Sequence, residues 1–97
     1  MRMYSIHDLA VMAFMRPFFA RTHGEATRAF QDLVLDPSHP VGQHPKDYAL
    51  YFVGEFDEKK GTVTGPEHPE TILSGLDIQG AQFDLEVVSD EPEAASA

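Results

Sequence analysis

One stretch of alternating side chains constrains the fold most strongly, because it predicts a long strand followed by a turn. Residues 48–57 are rich in aromatic and branched apolar side chains, which in a β-strand would fall alternately on its two faces. The residues that follow are polar as far as Gly61, which accepts a positive φ, and residues 62–64 are β-branched. The pattern therefore predicts a β-hairpin. One face of its long strand carries Tyr48, Leu50, Phe52 and Phe56, and the other carries Ala49, Tyr51, Val53, Glu55 and Asp57.

A second pattern predicts one amphipathic helix over residues 24–35. Thr22 and Glu25 have the spacing of a capping box, in which the threonine hydroxyl accepts a backbone N–H at the start of a helix. The apolar residues that follow repeat with the helical period, and they are Ala26, Ala29, Phe30, Leu33 and Val34. The Asp-Pro pair at residues 36–37 predicts the end of the helix.

The apolar stripe of this helix needs a partner, and the hairpin is the obvious one. We expect Phe30 and Leu33 to contact Leu50 and Phe52. Residues 1–8 alternate as a strand does. Together these elements predict an α+β fold, in which a small antiparallel sheet in the order ββαββ carries one helix on one face.

Three other segments are less regular. Residues 9–15 fit either a strand or a short helix, and we favour a strand because Pro17 would stop a helix at once. Residues 38–45 have the composition of a loop. Residues 70–88 either add an edge strand or dock loosely on the sheet.

Length and composition set the domain organisation. With 97 residues the chain is large enough for a single core, and we expect one domain over residues 1–88. Residues 89–97 are acidic and lack large apolar side chains, which predicts a disordered tail. No cysteine is present, no apolar run has the length of a membrane span, and the start of the chain does not match a signal peptide. These features predict a soluble intracellular protein.

Charge is distributed unevenly along the chain. The net charge is -9, which argues against coating nucleic acid by charge alone. Residues 1–31 nevertheless hold four arginines against two acids, whereas residues 32–97 hold three lysines against fourteen acids. An anion would therefore bind to the first third of the chain.

That third contains the only basic and aromatic cluster in the sequence. Aromatic rings can stack on unpaired bases and arginines can pair with phosphates, which is the chemistry of single-strand recognition. The candidate nucleic-acid-binding residues are Arg16, Phe18, Phe19, Arg21 and Arg28. The phenylalanines also fit a core or interface role. Because Phe18 and Phe19 are adjacent, an extended chain would point them in opposite directions.

The residues show no catalytic or metal-binding pattern. The five histidines lack the spacing of a zinc site, and His39 and His44 lie in a predicted loop. Glu55 and Asp57 lie near a turn, where exposed carboxylates are expected to stabilise the turn rather than act as an acid and base pair. We expect no enzyme activity, no cofactor and no metal.

The predicted sheet face opposite the helix suggests a second kind of site. If the C-terminal segment leaves Ala49, Tyr51 and Val53 uncovered, they form an apolar patch that could bind another protein or a second copy of the chain. We expect a homodimer.

Several motifs in this order resemble one known family. They lie at residues 1–8 (MxxYSIxD), 13–20 (AFxRPFFA), 26–30 (AxRxF), 44–51 (HPxDYxLY) and 54–57 (GEFD), with Gly61 after them. Together they resemble the small nonstructural protein of gokushovirus-type microviruses, which are single-stranded DNA bacteriophages. The likeness covers about residues 1–70.

The resemblance implies a role but no catalytic residue. It implies a non-enzymatic protein, absent from the virion, that works in the cytoplasm of the infected bacterium as an accessory to genome replication. Such a protein would bind single-stranded DNA, or it would act as an adaptor on a phage or host replication protein.

Overall fold

The structure, a computed structural model, describes residues 1–78 of the chain. The predicted tail and the strand candidates Phe83, Leu85 and Val87 lie outside the described residues. The strands β1 to β6 are Arg2–Asp8, Ala13–Phe14, Phe18–Ala20, Tyr48–Asp57, Thr62–Thr64 and Glu70–Ser74. The helices are α1 (His23–Val34) and α2 (Pro40–Gln43), a short 3-10 helix spans Pro45–Asp47, and residues 75–78 are also helical.

The strands form one antiparallel sheet with β1 and β4 at its centre. β2 and β3 both pair with the outer edge of β1, each with a different end of it. In the same way β5 and β6 pair with opposite ends of β4. The sheet is therefore four strands wide, and each outer position is shared by two short strands.

The predicted hairpin is confirmed, and both the side chain and the backbone carbonyl of Asp57 accept hydrogen bonds from the backbone of its turn. The Asp57 carboxylate accepts the backbone N–H groups of Lys59 and Lys60 at 2.9 and 3.1 Å. Gly61 has a φ of 68°, a conformation that glycine adopts without a Cβ clash. The chain then returns as β5.

Helix α1 is also confirmed. The Thr22 hydroxyl accepts the Glu25 N–H at 3.1 Å, as the capping pattern predicts. The Glu25 carboxylate accepts the N–H of Arg21 rather than that of Thr22. The helix buries Ala26, Phe30 and Val34.

One core lies between α1 and the sheet. Its fully buried large side chains are Tyr4, Phe30, Val41 and Leu50. Leu33 and Phe52 pack against the same cluster, so the predicted contact between helix and hairpin is confirmed. The α+β class, with an antiparallel sheet and a helix on one face, is correct.

Several details differ from the predicted order ββαββ. Three strands precede the helix, because residues 9–12 form a turn and only Ala13–Phe14 of the ambiguous segment is a strand. The predicted loop at residues 38–45 contains α2, whose first turn is capped when His39 Nδ1 accepts the N–H of Val41. An added edge strand exists, but it is β6 (Glu70–Ser74), and Leu76 and Ile78, which were candidates for that strand, lie in a helical turn after it.

A β-bulge in β4 changes which residues share a face. Tyr4 pairs with Phe52, yet Met3 pairs with Gly54, so Val53 is an extra residue on β4. The alternation therefore reverses after Val53, and Phe56 lies on the face opposite Phe52. The prediction that Phe56 shares a face with Leu50 and Phe52 is wrong for this reason.

Candidate nucleic-acid interface

The sheet face opposite α1 carries several exposed apolar side chains, and we call it the open face. Strand pairing assigns its side chains, since paired residues of antiparallel strands point to the same side. Its large members are Met1, Met3, His7, Phe14, Phe19, Tyr51, Phe56 and Val63. Phe14, Phe19 and Val63 are 45%, 52% and 61% exposed. None of the eight is an acid, a lysine or an arginine.

The first group of rings on this face, the stacked cluster, consists of His7, Phe14 and Tyr51. The His7 and Phe14 rings are stacked, with centroids 4.3 Å apart and an angle of 25° between their planes. Tyr51 meets both edge-on, at 5.6 and 5.3 Å. His7 Nδ1 is buried without a hydrogen-bond partner. Three strands thus hold the Phe14 ring in a fixed orientation.

The second group, the Phe19 cleft, lies at the other end of the face. Phe19 and Phe56 have ring centroids 6.1 Å apart and planes inclined by 57°. With Met1 and Glu58 they line a cleft of about 220 Å³. The amino group of Met1 donates to the Phe56 carbonyl at 3.0 Å, which fixes the first residue against β4.

The structure brings only some of the predicted nucleic-acid-binding residues together. Arg16 and Arg21 are exposed beside the two ends of β3, the strand that carries Phe19. Phe18 faces the other way, and its ring lies 6.0 Å from that of the buried Tyr4. Arg28 is exposed on α1, on the side of the helix away from the sheet, because Ala26 and Phe30 face inward.

The predicted partner face is also divided. Tyr51 belongs to the open face, where Ala49 is only 4% exposed and adds little surface. Val53 is the bulged residue. Sequence reasoning did not assign Met1, Phe14, Phe56 and Val63 to this face. Phe14 lies in the segment whose structure was ambiguous, and Phe56 lies beyond the bulge.

No catalytic arrangement is visible in the described part of the chain. Within residues 1–78, no group of three or more His, Asp or Glu side chains is placed to hold a metal ion. Glu55 pairs with Arg2 and Thr64 in the sheet, whereas Asp57 caps the turn. No helix within that range is long and apolar enough to cross a membrane.

Three side chains in the described region, Tyr4, Asp36 and Tyr48, have pKa values changed by their surroundings, without forming a reactive pair. Burial raises the pKa of Tyr4, whose hydroxyl lies 2.6 Å from His23 Nδ1. The hydroxyl and N–H of Ser38 both donate to the Asp36 carboxylate and lower its pKa. Tyr4 thus stays neutral and Asp36 stays ionised near neutral pH, which suits structural roles.

Comparison with known proteins identifies the family of the chain. The model of the family described as Phage ORF5 protein matches residues 1–78. The chain belongs to the Phage ORF5 protein family. The match covers the residues that form the sheet, α1 and the open face. No curated protein and no solved structure gave a significant match.

Proposed function

We propose that this Phage ORF5 protein is a non-enzymatic accessory to the replication of single-stranded phage DNA, and that its open face binds single-stranded DNA. Its likeness to gokushovirus nonstructural proteins supports a place in the cytoplasm of the infected bacterium and outside the virion. The observation that carries the proposal is the set of exposed aromatic rings on a sheet face whose large side chains include no acid, lysine or arginine, with the Glu58 carboxylate and the Met1 amino group at one end of it.

Exposed rings on a sheet suit unpaired bases. Each base that stacks on a protein ring contributes about 1–3 kcal/mol, and this contribution depends little on sequence. Phe14 and Phe19 are each about half exposed, and neighbouring rings hold both of them. Bases in a duplex are already stacked and paired, so the face would prefer single strands.

Binding of DNA also needs positive charge near the phosphates, and two arginines supply it locally. The whole chain carries a net charge of -9 and would repel DNA at a distance. Arg16 and Arg21 are exposed and stand before and after β3, the strand that carries Phe19, and we expect them to pair with phosphates on either side of a base stacked there. Two such contacts would give a slope of about -1.4 for log affinity against log salt.

The test is fluorescence anisotropy of labelled oligonucleotides at low salt. We expect tighter binding to a single strand than to a duplex, and weaker binding as salt rises. The double variant Arg16→Ala, Arg21→Ala should lose most of the salt dependence. Arg28→Ala is the matched control, because Arg28 lies on the far side of α1, and it should bind like the unaltered protein. Unchanged anisotropy at low salt would refute the proposal.

A second candidate is protein binding by the same face, either to a phage or host replication protein or to a second copy of the chain. The observation in its favour is that Val63 and Phe19 are more than half exposed among the apolar side chains of the open face. Light scattering at high micromolar concentration tests the homodimer. If the dimer uses the open face, a single-stranded oligonucleotide should dissociate it.

A further inference from the structure

Resting on the proposed function, we infer that the open face binds a single strand at two separate points, one base on the stacked cluster and another in the Phe19 cleft. The ligand would then be a single strand that is long enough to bridge both points. Shorter oligonucleotides would reach only one of them.

The distance between the two points follows from the register of the sheet. Phe14 pairs with His7 and Phe19 pairs with Met3, so the two phenylalanines lie four residues apart along β1. Four residues of a strand cover about 13 Å. This distance corresponds to about four nucleotides at the rise of about 3.4 Å per nucleotide found in a stacked strand, and to fewer in an extended strand.

Each point offers room for one base. In the stacked cluster, one side of the Phe14 ring is covered by His7, and the ring is still 45% exposed. In the Phe19 cleft, the Phe19 and Phe56 rings have centroids 6.1 Å apart and, with Met1 and Glu58, line an open cleft of about 220 Å³, where a base would stack on the half-exposed Phe19. The two points therefore differ in shape but use the same stacking chemistry.

The surface between the points offers no further ring. Ser5 lies between Met3 and His7 on the same side of β1, and it is 2% exposed. Its hydroxyl donates to the Met15 carbonyl at 2.6 Å, so it is already paired. Tyr51, which pairs with Ser5, places its ring against Phe14. A bound strand would therefore cross this gap without stacking.

If the strand binds at two separate points, its affinity should rise in one step, at the length that first reaches both points. Adding a second stacked base at about 1–3 kcal/mol corresponds to a gain of about 5- to 150-fold. Further nucleotides beyond the bridging length would add much less. A continuous aromatic strip would instead add a similar factor for each nucleotide.

The experiment measures the affinity of oligothymidylates from two to about twelve nucleotides, a range that covers common site sizes, by competition with a labelled strand. We expect the step to occur at about three to five nucleotides.

Phe14→Ala and Phe56→Ala should each abolish the step while retaining weak binding of short strands at the other point. Leu35→Ala is the control, since Leu35 is 47% exposed at the end of α1 and away from the face. Circular dichroism would establish that each variant is folded.

The possible failures are distinguishable. If no oligonucleotide of any length binds, the proposed function itself is wrong. If affinity rises smoothly with length, and each variant weakens all lengths by the same factor, DNA binding stands and the two-point inference is overturned.

Discussion

Phe19 and Phe56 come from strands on opposite sides of β1, yet their ring centroids lie only 6.1 Å apart. The contact exists because the bulge at Val53 reverses the alternation of β4. Without it, Phe56 would point toward α1, as Phe52 does. One extra residue in the central strand thus builds one end of the open face.

The exposed ring of Phe19 should matter for DNA and not for stability. We expect Phe19→Leu to weaken binding of a single strand by about 5- to 150-fold, since leucine keeps the apolar surface but cannot stack on a base. Phe19 is 52% exposed, so the free energy of unfolding should change by less than about 1 kcal/mol. Anisotropy and urea unfolding measure the two effects.

The same variant separates the two candidate functions. A protein partner needs apolar surface rather than a flat ring, so self-association should survive Phe19→Leu even where DNA binding falls. Equal DNA affinity in Phe19→Leu and the unaltered protein would mean that this ring does not stack on a base.

Regular patterns in the sequence predicted the regular parts of the fold. The strand over residues 48–57, the turn at Gly61 and the cap at Thr22 each follow from a pattern with one dominant physical solution, and each is found in the structure. The bulge at Val53 was not predictable in this way, because an extra residue in a strand depends on its neighbour's register rather than on local alternation.

The candidate site was harder to predict than the fold. Arg16 and Arg28 lie close in sequence, but one flanks the open face and the other lies on the outer side of α1. The opposite orientation of Phe18 and Phe19 follows from strand geometry, and it is confirmed. Phe14 could not be assigned, because a two-residue strand leaves almost no periodic signal.

Close backbone packing beside the bulge makes Gly65 sensitive to substitution. A Cβ at this position would lie 2.6 Å from the Val53 carbonyl oxygen and 2.9 Å from the Gly54 Cα. We expect Gly65→Ala to lower the free energy of unfolding by about 1–3 kcal/mol, because backbone must move to accommodate the methyl group. Urea unfolding measures the change.

Gly24 provides the contrast for that prediction. A methyl group at this position would meet nothing closer than the Thr22 hydroxyl at 3.7 Å. Gly24→Ala should leave stability unchanged or raise it by up to about 1 kcal/mol, since alanine loses less backbone entropy in a helix. Equal destabilisation of the two variants would show that packing at Gly65 is not the cause.

The start of α1 depends on one hydroxyl. Thr22 accepts the Glu25 N–H at 3.1 Å, and Thr22→Ala removes this bond. We expect a loss of about 0.5–2 kcal/mol in the free energy of unfolding. Thr27→Ala, inside the same helix, should be neutral or slightly stabilising, because alanine has the higher helix propensity. A similar loss in both variants would rule out capping as the explanation.

The buried hydroxyl of Tyr4 should make stability fall at alkaline pH. Burial raises the pKa of Tyr4 above its ordinary value, so the folded state holds this proton more tightly than the unfolded state does. The Tyr4 proton therefore contributes to the free energy of unfolding. This contribution is complete below about pH 10, the ordinary pKa of tyrosine, and it is lost as the pH rises through the raised pKa of Tyr4 in the folded state.

Replacing Tyr4 by phenylalanine tests this linkage. At pH 8 the variant should be less stable by about 0.5–1.5 kcal/mol, because it loses the hydrogen bond between the Tyr4 hydroxyl and His23 Nδ1. Above about pH 10 its stability should fall less steeply than that of the unaltered protein. Burial also raises the pKa of Tyr48, but Tyr48 is present in both proteins and its effect cancels in the comparison. Urea unfolding across this range measures the two slopes, and parallel curves would mean that the Tyr4 proton is not linked to folding.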